Sequence, residues 1–429
     1  MRVRGFCRLL AAICVAGLVG ARLSAAATLA GMVRDSTGGA IAGASVFILR
    51  AAPLRGLGLL CPSCYPDCAK HARTDAAGRF EILRLDDSLQ FSVAAVARGH
   101  APIVIERVVP ASGPLDARLA RRDLAGVADS LLVRGRVLDP AGAPIEGAIV
   151  TPIGWRRGIL RAFGRMSGDP RAVTDADGRF ELETGPARIP AGFPRIPALP
   201  DSAAAWMLML EARGLAKETI ANVAPGRNWN TLRMRRGAML RGRVLEDGRP
   251  RAGVAVGAAQ HSHLADTFVG WQTIATDERG YFMFSNLQAG ADYDVYVLME
   301  GFSARGGAPA TRCSTAADDS MSWAGDLTPT PPHRLAGRIV LSDGSPPPTR
   351  TPVLLSRIDA VDRVTLWTDS QGRFGFAPLP AESLDVSVPL PGWRLAPSTP
   401  GVSPDDPETV RIEGRGDVEL VLTLERGSP

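Results

Sequence analysis

Lysine is almost absent from this chain: of 49 basic residues only Lys70 and Lys217 are lysine. Arginine use is spread along the whole sequence, which reads as coding bias rather than a phosphate-binding patch. Histidine is scarce too, with five residues, and none opens an H-x-x-E or H-E-x-x-H metal motif. No G-x-S-x-G nucleophile elbow occurs; Gly301-Phe302-Ser303-Ala304-Arg305 fails at its last position. A P-loop is missing, and no G-x-G-x-x-G follows a strand pattern. These absences argue against the common hydrolytic and nucleotide-dependent chemistries, and a non-enzymatic chain without cofactors is expected. Beyond residue 20 no apolar run approaches the ~20 residues needed to span a bilayer.

What is present begins with a Sec-type leader. Arg2, Arg4 and Arg8 precede the apolar stretch Leu9 to Gly20, and Ser24-Ala25-Ala26-Ala27 offers small-residue cleavage sites. Cys14 follows Ile13, a poor lipobox, so cleavage and a secreted or periplasmic protein are expected. Residues 1–27 hold four Arg and no acid, so a formal net charge of +5 falls to +1 in the mature chain. Nucleic acid is therefore not an expected partner. Gly and Pro, 46 and 34 of 429 residues, form nearly a fifth of the chain and favour short elements joined by turns.

Internal repetition dominates the rest. Thr74-Asp75-Ala76-Ala77-Gly78-Arg79-Phe80 recurs as Thr174 to Phe180, Thr276 to Phe282 and Thr368 to Phe374. Asp at the start and Gly three later suit a hairpin on a type I turn, with Gly in the left-handed position. A second signature precedes each copy: Leu29-Ala30-Gly31-Met32-Val33, Val133 to Val137, Leu240 to Val244 and Leu335 to Ile339. Its alternation predicts a strand with one buried face. A partner strand follows, best seen at Pro144-Ile145-x-Gly147-Ala148-x-Val150 and degenerate in the third copy. A further strand then ends at Gly99, Gly214, Gly301 and Gly392, and the residue after each (His100, Leu215, Phe302, Trp393) is expected at the sandwich edge.

With its G-x-V opening, P-I-x-G-A-x-V partner strand and T-D-x-x-G-x-F hairpin, the sequence resembles the carboxypeptidase regulatory-like domain. That resemblance implies an all-β fold: a tandem array of four transthyretin-like (prealbumin-like, Greek-key) β-sandwich domains after a cleaved signal peptide. Short strands with regular turn signals point the same way. The expected boundaries are 28–120, 131–236 with loop insertions at 155–171 and 186–200, 237–312, a linker at 313–333, and 334–429. The separate catalytic domain that accompanies such modules in zinc carboxypeptidases is missing. Related collagen-adhesin-type modules carry a Lys–Asn isopeptide bond, which repeats 3 and 4 cannot form because they contain no lysine.

Several clusters remain. Cys61-x2-Cys64-x3-Cys68-x2-His71 could be a disulfide-stapled loop or a Cys3His zinc shell. With Cys313 the mature chain has four cysteines and three possible pairings. Cys61–Cys68 with Cys64–Cys313 would require repeats 1 and 3 to touch. His261 and His263 alternate on one extended segment, a weak metal pair beside the reading as an exposed loop. Asp175-x-Asp177-Gly178 superficially resembles a calcium loop but fails at its later ligand positions and reads as a turn. Among the seven Trp, Trp155, Trp271 and Trp367 are candidate contacts for a polysaccharide, with core packing as the alternative. Arg156, Arg157, Arg161 and Arg165 form either a patch for an acidic polysaccharide or a solvated loop. An envelope protein is the alternative partner.

Overall fold

The computed structural model describes residues 26–54, 67–68, 70–157, 160–163, 172–184, 205–262, 269–317, 320–403 and 406–427. Strand Ala26–Asp35 lies at the centre of a three-stranded sheet, antiparallel to Arg79–Asp86 and parallel to Leu115–Leu119. A second sheet holds His71–Arg73, Ser45–Pro53, Leu89–Val96 and Ile103–Val108 in that order. Alternate residues of Arg79–Asp86 point inward, and Phe80 and Ile82 meet Val46, Ile48, Phe91 and Val93 between the sheets. The plan recurs around Leu132–Leu138, Ala238–Glu246 and His333–Leu341. Each has an antiparallel hairpin strand on one side and a parallel closing strand on the other. Each repeat encloses its own apolar core. The chain is thus a tandem series of prealbumin-like β-sandwiches, as the sequence predicts.

The two repeated signatures have one joint physical cause. Gly31 pairs with Phe80, Gly135 with Phe180, Gly242 with Phe282 and Gly337 with Phe374 across adjacent strands. A Cβ on any of these glycines would come within 2.3–2.8 Å of the phenyl ring. The ring therefore lies flat over glycine backbone, and neither residue can change alone. The hairpin is fixed by its Asp, whose Oδ1 accepts backbone N–H donors from two and four residues ahead in all four copies. Gly78, Gly178, Gly280 and Gly372 each take φ of 71–75°. The preceding Thr is buried. Its hydroxyl accepts from Ala44, Ala148, Val254 or Thr351 N–H at 2.8–3.0 Å, tying the hairpin to the second strand. The motif is a fold determinant, and the carboxylate that might have suggested calcium is occupied by backbone.

Three expectations need correction or placement. The segment read as a linker, 313–333, overlaps strand Thr311–Ser314 and contains Met321–Leu327 and the start of His333–Leu341. Met321–Leu327 supplies the parallel closing strand of repeat 3. It shows little apolar periodicity, because only Ala324 and Leu327 are buried. The insertion read from Trp155 begins as strand: Ile149–Arg157 turns back on Leu160–Phe163 as an extended hairpin. The first strand opens at Ala26, two residues before the expected mature start. Residues 1–25, the Pro-rich insertion 186–200, Cys61, Cys64, Arg165 and His263 lie outside the described residues.

Candidate binding surface and the joints between repeats

Trp155 is 2% exposed and packs in the repeat 2 core beside Trp206 and Leu208. Its strand continues inward past the end of the predicted partner strand, so it offers no ring to a ligand. Trp271 and Trp367 are 53% and 52% exposed. Both stand on edge strands of four-stranded sheets, Trp271–Ala275 in repeat 3 and Arg363–Trp367 in repeat 4. The Arg350 guanidinium lies 5.3 Å from the Trp367 ring centroid. Two further indoles, Trp229 at 47% and Trp323 at 55%, are equally open. Trp229 pairs with Arg134 and Trp323 with Arg241, the same position of the G-x-V strand in repeats 2 and 3. The arginine before that glycine was the available signal, but the parallel closing strand that brings each Trp beside it is distant in sequence.

Cys68 is buried, and its carbonyl accepts a hydrogen bond from Arg213 of repeat 2. Cys313 is a free thiol in strand Thr311–Ser314, its Sγ 3.6 Å from the Ala324 carbonyl. Burial, with the charge of Asp294 adding, pushes that thiol up from its ordinary pKa. Cys64, the partner considered for Cys313, lies outside the described residues. His261 is no free loop residue: its Nδ1 lies 2.6 Å from Asp294 Oδ2. With Asp359 these groups could surround a cation, but Arg312 lies 3.1 Å from Asp294 and 3.7 Å from Asp359 and supplies positive charge there. The two lysines are engaged in ion pairs, Lys70 with Asp67 and Lys217 with Glu211 at 3.2 Å.

The expected edge residues mark where repeats meet. His100 and Leu215 bridge to Arg121 and Arg236, the segments that lead into the next repeats. Between repeats 1 and 2, Phe47, Leu49, Ala94 and Val96 on the outer face of the four-stranded sheet pack against Ile149 and Val173. Gly147 lies against the Phe47 ring, where a Cβ would come within 3.0 Å. Charges surround this apolar patch: Ser45 donates to Glu146 at 2.5 Å, and Arg50 reaches Glu211 at 2.5 Å. Burial would raise the Glu211 carboxyl, but Lys217 and Arg50 outweigh it and hold the pKa at about 2. Between repeats 2 and 3 the contact is largely backbone. Asn286 donates to the Ala212 carbonyl at 2.8 Å and accepts from Lys217 N–H at 2.9 Å.

Repeats 3 and 4 meet through a buried ion cluster. The Arg357 side chain is 0% exposed. It pairs with Glu382 through two nitrogens, approaches Asp362 at 3.4 Å, and donates to the Val297 and Ala308 carbonyls of repeat 3 at 2.5 and 3.2 Å. The rings of Tyr296 and Phe302 lie 5.4 and 5.5 Å from its guanidinium carbon. Gly257 leaves room for the Tyr296 ring, whose hydroxyl donates to Val361 at 3.2 Å. Asp362 also accepts from Met299 N–H at 2.8 Å, and burial pushes its carboxyl above the usual range.

No family model matches the chain, so the carboxypeptidase regulatory-like label rests on motifs alone. No curated protein matches either. Solved structures that resemble it include the minor pilin GBS52 of Streptococcus agalactiae, at 14% identity over 45% of this chain and 97% of that one, with a TM-score of 0.24. Two B repeat units of the collagen binding protein of Staphylococcus aureus match at 10% identity over 94% of this chain and all of theirs, TM-score 0.19. The Bacillus anthracis TIE protein matches at 10% identity over 94% of this chain and 75% of that one, TM-score 0.20. At such scores these likenesses carry no argument about ligand or partner.

Proposed function

We propose that the chain is a non-enzymatic extracytoplasmic scaffold whose repeats present aromatic side chains to a repetitive polymer, with carbohydrate as the ligand class. The observation that carries this reading is the set of half-exposed indoles, Trp229, Trp271, Trp323 and Trp367, spread over three successive sandwiches. Large exposed rings are informative where isolated exposed aliphatics are not, and each sits on a strand rather than a loose loop. One ring adds only ~0.5–1.5 kcal/mol beyond the area it buries. A single module would then bind at about millimolar strength, and tethered modules would gain ~10²–10⁴ by avidity. Built joints favour that gain by fixing the spacing between sites. The leader-like N-terminus accounts for export, and no helix among the described residues is long and apolar enough to cross a membrane.

The rival reading is docking of an envelope protein. Its support is the outer sheet face of repeat 3, where Met283, Met321 and Trp323 are all exposed beside Tyr281. The discriminating experiment is retention of the purified chain on insoluble and acidic polysaccharides in physiological salt. Retention by one polymer, lost in the Trp271→Ala, Trp367→Ala double variant, supports the carbohydrate reading. No retention by any polymer overturns it in favour of a protein partner.

A further inference from the structure

The joint between repeats 1 and 2 leaves a cleft of about 160 Å³ that adjoins the Phe47 patch through Val96 and Val173. Its walls come from both repeats: Arg98, His100 and Arg122 from the end of the first, Asp175, Arg179 and Trp229 from the second. The Trp229 ring is propped from its own sheet, with the Arg134 and Arg179 guanidinium carbons 5.8 and 5.5 Å from its centroid.

Three arginines, Arg98, Arg122 and Arg179, line the cleft with three carboxylates, Asp175, Asp177 and Glu181, but they are not paired one to one. Arg134 meets Glu181 at 2.8 Å and Arg179 lies 3.9 Å from Asp177. Asp175 spends its Oδ1 on the N–H groups of Asp177 and Arg179. Arg122 is half-buried, and its guanidinium donates to the Glu181 carbonyl at 2.7 Å. Its backbone is anchored too, N–H to the Gly99 carbonyl at 3.0 Å, so the guanidinium is held across the joint. Burial draws it down from the usual arginine value, partly offset by the charges of Glu181 and Glu183. Arg98, exposed on the same rim, adds a second positive group.

A carboxylate matches a planar guanidinium through paired N–H donors. An indole face beside it matches the C–H face of a pyranose, and Asp175 is placed for a hydroxyl. We propose that the cleft between repeats 1 and 2 binds an acidic sugar unit, a uronate, with Trp229 as platform and Arg122 as carboxylate anchor. This rests on the carbohydrate reading and gives it a substrate class and a site distinct from Trp271 and Trp367.

The test is calorimetric titration of the purified chain with galacturonate oligomers and with neutral galactose oligomers of equal length. Galacturonate should bind at least tenfold more tightly than the neutral oligomer and weaken with added salt. Trp229→Ala and Arg122→Gln should each cost tenfold or more, with an unchanged melting temperature for the exposed Trp229 variant. Equal binding of acidic and neutral oligomers, or full binding by both cleft variants, overturns the proposal. Polymer retention through Trp271 and Trp367 with no oligomer bound would sink the cleft and leave the broader reading standing. Absence of both polymer and oligomer binding would sink both.

Discussion

The joints at the two ends of the array use the same surface and fill it with opposite chemistry. Each is built on the outer face of a four-stranded sheet, through Phe47 and Ala94 in repeat 1 and through the Tyr296 ring in repeat 3. At the first joint a small apolar core does the holding and the charges stay at its margin. At the third a fully buried arginine holds two carboxylates and two carbonyls of the neighbouring repeat's strand and loop. An apolar patch tolerates modest sliding, whereas a buried cation with four directed partners fixes one geometry. The price of that specificity is fragility, because losing one partner strands the others in a dry site.

Arg357→Ala tests this contrast most severely. It leaves Glu382 and Asp362 without their buried cation and should cost about 3–5 kcal/mol. Denaturant titration should show the loss in repeats 3 and 4, with repeats 1 and 2 unaffected. Phe47→Ala should cost about 2–3 kcal/mol, less than a full core truncation because the patch lies between domains. Its signature is separate melting of repeats 1 and 2 rather than collapse of either.

Acid should sharpen the comparison, because the two joints respond with opposite sign. Glu211 is held at about 2 against an ordinary 4.5, so its contribution is complete above pH 4.5 and disappears as pH falls towards 2. Asp362 has a raised folded pKa, so its charged form is a cost at neutral pH that protonation relieves. Lowering the pH from 6 to 3 should therefore loosen the first joint while Asp362 contributes the reverse trend at the third. Amide exchange at each joint across that range reads both. Glu211→Gln should cost about 1–2 kcal/mol at pH 7, as for hydrogen bonds to charged groups, and should flatten the acid response of the first joint. The smallest effect is expected for Trp271→Ala, within about 0.5 kcal/mol by thermal melting, since the ring touches the fold at an exposed edge.

The sandwiches were legible because their determinants are local and repeated four times. Gly and Phe of the two signatures need each other in space, and Asp and Gly of the hairpin need each other in the turn, so both pairs recur at fixed offsets. The closing strand of repeat 3 was not legible, because Met321–Leu327 buries only two side chains and shows little apolar periodicity. Trp155 misled for a related reason: its strand, like Ser45–Pro53 of repeat 1, runs on past the point where the strands of repeats 3 and 4 end. The joints were invisible in sequence. Arg357, Glu382 and Asp362 are ordinary surface residues in composition, and only the apposition of repeats makes them a cluster. The exposed Trp229 and Trp323 depended on a parallel pairing across some eighty or more residues.

The most direct test of the account is calorimetric unfolding of the purified chain beside its Arg357→Ala variant. The account predicts that repeats 3 and 4 melt as one cooperative unit in the parent and as two transitions in the variant. Independent melting of repeats 3 and 4 in the parent protein, or an unchanged profile in the variant, would contradict it.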